Sequence, residues 1–172
     1  MKTLLRCDKF DVVQRDVRGR DGRTHPRQVV VHPGAVVVLP LIEPDRVVMI
    51  HQWRHTIERE LLELPAGTLD RPGEDPAAAA RRELEEETGY RAGRLEPLCE
   101  FYPSPGMLTE LIRAYVARDL SPARQALDAT ERIRVEILPL SEAFARVARG
   151  EIIDAKTLIA LLRWRLRGEC RP

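Results

Sequence analysis

A stretch from Gly67 to Tyr90 is rich in carboxylates, and their spacing is suited to binding a metal ion. Glu83 and Glu87 are four residues apart, so a helix would place both carboxylates on one face, where like charges repel by about 0.2–0.5 kcal/mol. We expect this pair to border the apolar side of the helix, with no helical cation between the two acids. Converging carboxylate oxygens are ligands that a hard divalent cation prefers. The pattern favours a metal site, although a solvated acidic helix face has the same composition.

Two further acids of the helix are predicted to be paired. Arg81 precedes Glu85 by four residues, and Arg82 precedes Glu86 by four residues. Residues at this spacing are neighbours on a helix surface, so each of these acids has a cation within reach. The spacing therefore predicts that Glu85 and Glu86 are each paired with an arginine, whereas Glu83 and Glu87 are not.

The helix that carries these acids has clear start and stop signals. Asp75 is a typical N-cap, Pro76 suits the first helical position, and Gly89 is typical of a helix end. The glycine-rich loop Gly67–Gly73 before it permits close approach of the backbone to a ligand. The residues expected to face the core are Ala77, Ala80, Leu84 and Thr88.

The loop and helix together resemble the Nudix box, the signature of the Nudix hydrolase family. That pattern is Gly, five residues, Glu, seven residues, then Arg-Glu-apolar-any-Glu-Glu-any-Gly-apolar. The positions that match it are Glu74, Arg82, Glu83, Leu84, Glu86, Glu87, Gly89 and Tyr90. One departure is that six residues separate Gly67 from Glu74, with the extra residue in the turn Leu69–Gly73. This departure affects the path of the loop and leaves the helix register intact.

Other stretches resemble the ADP-ribose pyrophosphatase branch of that family. They are Val31–Ala35, Gln52–Arg54, Glu63–Gly67, Ser104–Gly106 and Gly150–Leu162. The resemblance implies hydrolysis of ADP-ribose to AMP and ribose 5-phosphate. Hydrolysis of another nucleoside-diphosphate sugar or of a dinucleotide is the alternative. A non-catalytic sensor of ADP-ribose is disfavoured, because the acids of the box are intact.

The resemblance also implies roles for the residues of the box. Glu83 and Glu87 would bind a divalent metal, with Glu86 as a further ligand or as support for the ligands. The carbonyl of Ala66 would be another ligand, and Arg82 would hold the carboxylates in place. Mg²⁺ is the expected ion, and Mn²⁺ is the expected substitute.

A general base is expected in the long loop Asp119–Glu131, because long loops in compact domains are often functional. Glu131 aligns best with the catalytic glutamate of the resembled enzymes, and Asp128 is the rival. Glu110 resembles an acid that contacts the substrate, or it is a strand-edge acid paired with Arg113.

Substrate contacts are expected from two other parts of the chain. Trp53 is predicted either to stack on adenine or to pack in the core or a dimer interface. Arg54 suits bidentate binding of a phosphate. Arg15 and Arg27 lie on an N-terminal β-ribbon, from which they could reach the cleft of a partner subunit.

The pattern of the whole chain predicts a mixed α/β (α+β) fold. Residues 1–34 are predicted to form a small antiparallel β subdomain, with a hairpin turn at Asp21–Gly22. Residues 35–172 are predicted to form the Nudix hydrolase domain, an α/β/α sandwich with a mixed sheet. A two-stranded ribbon is marginally stable alone, so we expect the N-terminal strands to pack in a homodimer. Ser141 and Asp154 are the predicted N-caps of two C-terminal helices.

The composition of the 172 residues excludes several classes of protein. The net charge is +1, and no basic stripe indicates a nucleic-acid partner. No apolar run is long enough for a signal peptide or a membrane span. The cysteines Cys7, Cys99 and Cys170 are scattered and odd in number, which is typical of free thiols in a reducing compartment. A cytoplasmic protein is therefore expected.

Overall fold

The computed structural model of the chain describes residues 1–169, which form two β-sheets and three helices. The strands are β1 Lys2–Arg6, β2 Asp11–Arg18, β3 Thr24–Val31, β4 Ala35–Ile42, β5 Arg46–Arg54, β6 Arg59–Glu63, β7 Ala66–Thr68, β8 Tyr90–Phe101, β9 Ile112–Pro122 and β10 Ile133–Pro139. The helices are α1 Pro76–Thr88, α2 Leu140–Ala148 and α3 Ala155–Glu169.

The N-terminal strands β1, β2 and β3 form a separate antiparallel sheet. The predicted hairpin is confirmed, with Gly22 at φ 74° in the turn between β2 and β3. Strand β1 was not predicted, because Lys2–Arg6 is a single short run with no turn signal of its own. This sheet and the connection between β1 and β2 leave apolar side chains exposed, namely Leu4, Leu5, Phe10 and Val17.

The second sheet has the central order β10-β5-β4-β9-β8, while β6 pairs with β5 and β7 pairs with β4. Strands β4 and β9 are parallel, and the other pairs are antiparallel, so the predicted mixed sheet is confirmed. Strand β4 is a nearly continuous apolar run because both of its faces are covered. Val36 and Val38 face one hydrophobic cluster, and Val37 and Leu39 face the other.

Helices cover both faces of this sheet, which confirms the α/β/α sandwich. Helix α1 packs on one face through Ala79, Ala80 and Leu84. Helices α2 and α3 pack on the opposite face through Ala143 and Leu161. No helix among residues 1–169 is long and apolar enough to cross a membrane. The sandwich thus places α1 beside β4, β5 and β7.

Two local predictions were wrong. Strand β9 continues to Pro122, because Tyr90 of β8 pairs with Pro122, so the predicted loop at Asp119 begins later. Ser141 is not an N-cap: α2 begins at Leu140, whose N–H donates to the carbonyl of Asp45 at 2.7 Å. A tertiary contact satisfies the helix start there, and no sequence-local signal encodes it.

Asp154 is the N-cap of α3, as the sequence predicts. Asp154 accepts hydrogen bonds from the backbone N–H and the hydroxyl of Thr157, as expected of an N-cap. Cys7 and Cys99 are free thiols, and Cys170 lies outside the described residues.

Candidate active site

Strand β7 brings the loop backbone into contact with two acids of helix α1. The N–H of Ala66 donates to Glu87 Oε2 at 2.9 Å. Gly67 lies against Glu83 so closely that a Cβ at position 67 would overlap the Glu83 carboxyl group. Asp75 caps the helix by accepting from the N–H groups of Ala77 and Ala78, both at 3.1 Å. The predicted loop-and-helix unit is therefore assembled as one site.

Arg82 is the centre of a hydrogen-bonded network of acids. Its guanidinium donates to Glu74 through two bonds of 3.0 Å, to Glu83 Oε1 at 2.7 Å, and to Glu86 Oε2 at 2.9 Å. The prediction that the pair Glu83 and Glu87 has no helical cation was wrong for Glu83. The Arg82 guanidinium contacts the adjacent Glu83 as well as Glu86, which is four residues further along the helix. Hydrogen bonds to Glu74 raise the pKa of Arg82, so this cation is permanent.

The predicted pair between Arg81 and Glu85 was also wrong. Arg81 donates to the carbonyl of Ala92 at 2.7 Å. Glu85 accepts two bonds from Arg91, at 3.0 and 2.7 Å. Strand β8, which follows the helix, supplies partners that spacing along α1 does not reveal.

Burial raises the pKa values of Glu83 and Glu87, the two acids predicted to bind a metal. Glu87 is 2% exposed, and burial raises its pKa to about 8, against the lowering effect of the Ala66 N–H. The pKa of Glu83 is also raised by burial, and Arg82 opposes that rise. The charge of Glu131 raises both pKa values further. A cation bound among these carboxylates would relieve the repulsion and favour their ionised forms.

The oxygen donors present here fit a hard divalent cation, and the missing Cβ at Gly67 leaves room beside Glu83. Among residues 1–169, no three acidic, histidine or cysteine side chains are already gathered around one point that a metal could occupy. The reason is visible in the hydrogen bonds, since Arg82 holds Glu83 and Glu86 and the Ala66 N–H holds Glu87.

A cavity of about 500 Å³ opens beside the acids. Among the residues that line it are the predicted site residues Trp53, Arg54, Ala66, Arg82, Glu83, Glu86, Glu87 and Glu131. Trp53 is half-buried on the cavity wall and is absent from both core clusters. Strands β5 and β7, helix α1 and the loop before β10 therefore bring together residues that are far apart in the sequence.

The loop before β10 places both candidate bases at this cavity. Glu131 is half-buried and Asp128 is exposed. The N–H of Asp128 donates to Glu131 Oε2 at 2.9 Å, and the N–H of Glu131 donates to the Asp128 carbonyl at 3.0 Å. This turn fixes the Glu131 carboxylate, while the Asp128 backbone supports it.

Arg54 is held by a buried acid that sequence reasoning did not single out. Glu63 is fully buried, and its Oε1 accepts from Arg54 Nε at 2.8 Å. Lys156 also contacts Glu63, and it donates to Asp154 at 3.0 Å. A glutamate at the end of a buried strand is itself a signal, because a buried carboxylate has to be paired. Arg54 and Lys156 line a second cavity of about 410 Å³ next to the first.

Glu110 lines this second cavity rather than the first. Its Oε1 lies 3.6 Å from His32 Nδ1, while Arg113 pairs with Glu100 at 2.9 Å. The predicted pair between Glu110 and Arg113 was therefore wrong, since the strand places Arg113 opposite Glu100.

Arg15 and Arg27 are not brought to either cavity of this chain. They are exposed and directly opposite each other on β2 and β3. Like charges in that position destabilise a sheet, so this pair is suited to an anion.

Residues 31–161 match the NUDIX domain family. A methanol dehydrogenase activator from Bacillus methanolicus is 43% identical over 148 residues, which cover 85% of this chain and 80% of that protein. An ADP-ribose pyrophosphatase from Bacillus subtilis is 39% identical over 154 residues, covering 88% of this chain and 83% of that protein. A GDP-mannose pyrophosphatase from Cronobacter sakazakii is 38% identical over 165 residues, covering 89% and 85% respectively.

The fold also has a solved counterpart. The crystal structure of an ADP compounds hydrolase superposes with a TM-score of 0.84 at 27% sequence identity, covering 99% of this chain and 94% of that one. The resemblance to the ADP-ribose pyrophosphatases is thus confirmed over most of the chain. By its domain, its acidic helix and its relatives, this chain belongs to the Nudix hydrolase family.

Proposed function

We propose that this protein hydrolyses the diphosphate bond of ADP-ribose to give AMP and ribose 5-phosphate. The observation that carries the proposal is that Glu83, Glu87, Glu131 and Arg54 all line one cavity. It combines acids suited to a cation with a guanidinium suited to phosphate. The similarity to ADP-ribose pyrophosphatases supports ADP-ribose as the substrate.

In the proposed reaction, Arg54 binds a phosphate of the substrate and is itself kept in place by the buried Glu63. Trp53 on the cavity wall provides an aromatic face for the adenine. Glu110 lies in the adjoining cavity, where its carboxylate can accept hydrogen bonds from ribose hydroxyls. These contacts would orient the diphosphate over the acids of α1.

Glu131 is the proposed general base, with Asp128 as the alternative. A water oxygen forms a bond to one phosphorus, the bond from that phosphorus to the bridging oxygen breaks, and the proton of the water passes to Glu131. Because Glu131 is half-buried and fixed by the Asp128 N–H, its carboxylate is the better positioned of the two.

Nudix hydrolases depend on divalent metals, and we propose Mg²⁺ for this chain, with Mn²⁺ as a substitute. The ligands would be Glu83, Glu87, the carbonyl of Ala66 and, as ligand or support, Glu86. When bound, the ion supplies charge neutralisation at the phosphate oxygens. Arg82 would keep the acids oriented through its bonds to Glu74 and Glu86.

GDP-mannose is the second candidate substrate, because a GDP-mannose pyrophosphatase covers the chain at nearly the same identity as the ADP-ribose pyrophosphatase. The metal chemistry would be the same, and the contacts to the base and the sugar would differ. A panel of ADP-ribose, ADP-glucose, UDP-glucose, GDP-mannose, NADH and diadenosine polyphosphates with Mg²⁺ decides between them by kcat/KM. A clear preference for a substrate without adenine would overturn the first candidate.

The metal assignment has its own test. Glu83→Gln and Glu87→Gln should each lower kcat by about two to four orders of magnitude and weaken Mg²⁺ binding in calorimetry. Glu85→Gln is the matched control, because Glu85 lies on the same helix but pairs with Arg91. Unchanged turnover with an unchanged Mg²⁺ requirement in the two variants would contradict the assignment.

We further propose that the protein is a homodimer in which residues 1–34 form a subdomain that packs on the partner. The exposed apolar side chains Leu4, Leu5, Phe10 and Val17 support this, because contacts with a partner would bury them. Light scattering at micromolar concentration tests the dimer, and a monomer would contradict it. The free thiols Cys7 and Cys99 support a reducing, cytoplasmic location.

A further inference from the structure

Gln52, next to Trp53 on strand β5, is a buried amide at the wall of the active-site cavity. The residue is 7% exposed and lines the same cavity as Glu83, Glu87 and Glu131. Among the described residues, its Oε1 atom is buried and has no hydrogen-bond donor within reach. A buried acceptor without a partner weakens folding, so its presence in a functional cavity requires an explanation.

The strand pairing places Gln52 next to the segment that carries the candidate base. Gln52 is paired with Ile133 of β10, two residues after Glu131. The neighbouring backbone is joined there as well, because the N–H of Trp53 donates to the carbonyl of Arg132 at 3.1 Å. Gln52 and Glu131 also line the same cavity, so they are suited to act on one small molecule between them.

The acids around the cavity do not satisfy the Gln52 oxygen, since an ionised carboxylate only accepts hydrogen bonds. The Gln52 oxygen and the Glu131 carboxylate are thus two acceptors on residues that line one cavity. A molecule with two O–H donors, able to serve two acceptors at once, matches this arrangement, and water is such a molecule.

We propose that the Gln52 side chain turns its covered Oε1 into the cavity and accepts a hydrogen bond there from the attacking water, so that Gln52 is a further catalytic residue. This rests on the proposed hydrolysis. One O–H of the water donates to Glu131 and the other donates to Gln52, so a lone pair of the water oxygen is directed at phosphorus. The oxygen–phosphorus bond forms, the bond to the bridging oxygen breaks with its electron pair, and one proton passes to Glu131. The amide is not basic, so the second hydrogen stays on the oxygen and becomes the hydroxyl of the product phosphate.

The first experiment compares Gln52→Met and Gln52→Leu with the wild-type enzyme. Each variant removes the acceptor and leaves an apolar side chain of similar size. We expect kcat to fall about 100-fold, with KM within about threefold of wild type. The melting temperature should be unchanged or higher, because an unpaired buried acceptor has been removed. Gln28→Met is the control, since Gln28 is exposed on β3.

The second experiment measures which nucleophile the enzyme uses in a water–methanol mixture. Methanol carries one O–H and a methyl group, so it can donate to Glu131 but offers no hydrogen to Gln52. The wild-type enzyme should therefore form little methyl phosphate ester relative to hydrolysis product. Gln52→Met and Gln52→Leu should raise that product ratio severalfold, as measured by phosphorus NMR or mass spectrometry.

A structural role for Gln52 leads to different results. If kcat of both variants stays within about threefold of wild type, or if the product ratio is the same in all three enzymes, the inference is overturned. Wild-type activity on the nucleotide panel separates the two proposals. An inactive wild-type protein would remove the proposed function and this inference together, whereas active wild-type and active Gln52 variants would remove only the inference.

Discussion

The Glu83 carboxylate lies against the backbone of Gly67, in the volume that a side chain at position 67 would occupy. Gly67 is held from the other side because it pairs with Val36 on strand β4. The glycine has no positive φ, so its role is close approach rather than an unusual backbone conformation. The contact joins the loop to the acidic helix.

Gly67→Ala should therefore reduce activity without unfolding the protein. The added methyl group displaces the Glu83 side chain, and a displacement of about 1 Å at a catalytic site costs on the order of 100-fold in rate. We expect kcat to fall by about that factor, and Mg²⁺ affinity to fall with it. Gly168→Ala is the control, because a Cβ there meets nothing within 4 Å. Equal activity of Gly67→Ala and wild type would contradict the close contact.

Glu131→Gln should lower kcat by about two to four orders of magnitude, because the amide cannot accept the proton of the attacking water. Mg²⁺ binding should be retained, as measured by calorimetry with the nucleotide absent. Asp128→Asn is the comparison variant, since its backbone N–H still supports residue 131. A larger fall in kcat in Asp128→Asn than in Glu131→Gln would identify Asp128, and not Glu131, as the general base.

Much of the site was predictable from the sequence because its acids are close together on one helix. Asp75, Pro76 and Gly89 encode the helix bounds locally, and all three were predicted correctly. The loop and helix are therefore recognisable from the sequence spacing of their residues alone. Strand β4 was similarly clear, since a continuous apolar run indicates a strand covered on both faces.

The partners of these acids were not predictable in the same way. Glu85 pairs with Arg91 on the following strand, and Glu63 pairs with Lys156, which is 93 residues away. Such contacts depend on the tertiary fold, so the spacing of residues along one helix does not predict them. The unpaired oxygen of Gln52 is likewise visible only once β5 and β10 are placed side by side.

The link between Glu136 and Arg146 predicts an acid-sensitive contribution to stability. Two bonds from Arg146, at 3.0 and 2.9 Å, lower the pKa of Glu136, and His51 on β5 adds a bond at 2.6 Å. A lowered folded-state pKa stabilises the protein above the unfolded pKa, and the effect is lost as pH falls through the folded value. Glu136→Gln should cost about 1–2 kcal/mol at pH 7 and much less in acid.

Urea denaturation of the wild type and Glu136→Gln across the acid range measures this difference. Arg146→Met and the double variant complete a cycle that isolates the pair from the contacts of Arg146 with Glu142. A coupling energy that is independent of pH would show that the charge of Glu136 is not responsible.

Glu63→Gln should strongly destabilise the fold, because Arg54 and Lys156 would lose the buried carboxylate between them. Removing one partner of a buried ion network costs about 3–5 kcal/mol. The free energy of unfolding measures the loss. Glu151→Gln is the control for a surface ion pair, since Glu151 is half-exposed beside Arg149. A similar, small effect of the two substitutions would show that Glu63 is not the anchor of this network.

The arginine pair on the N-terminal sheet predicts an active site shared between subunits. Arg15 and Arg27 face each other across β2 and β3 and line neither cavity of their own chain. If they bind the substrate in a partner's cleft, Arg15→Gln/Arg27→Gln should raise KM about tenfold. Arg18→Gln, on the same strand, should not change KM.

Mixing subunits distinguishes a shared site from an effect within one chain. A Glu131→Gln subunit keeps its arginines, and the arginine double variant keeps its base, so a mixed dimer rebuilds one complete site. Random re-association of two kinds of subunit in twofold dimers should restore about a quarter of the sites. Recovery of kcat/KM on mixing, with mixed dimers verified by mass spectrometry, is the expected result. Verified mixed dimers without recovery would place the arginines outside the partner's cleft, because the rebuilt site would then contain every residue that the shared arrangement requires.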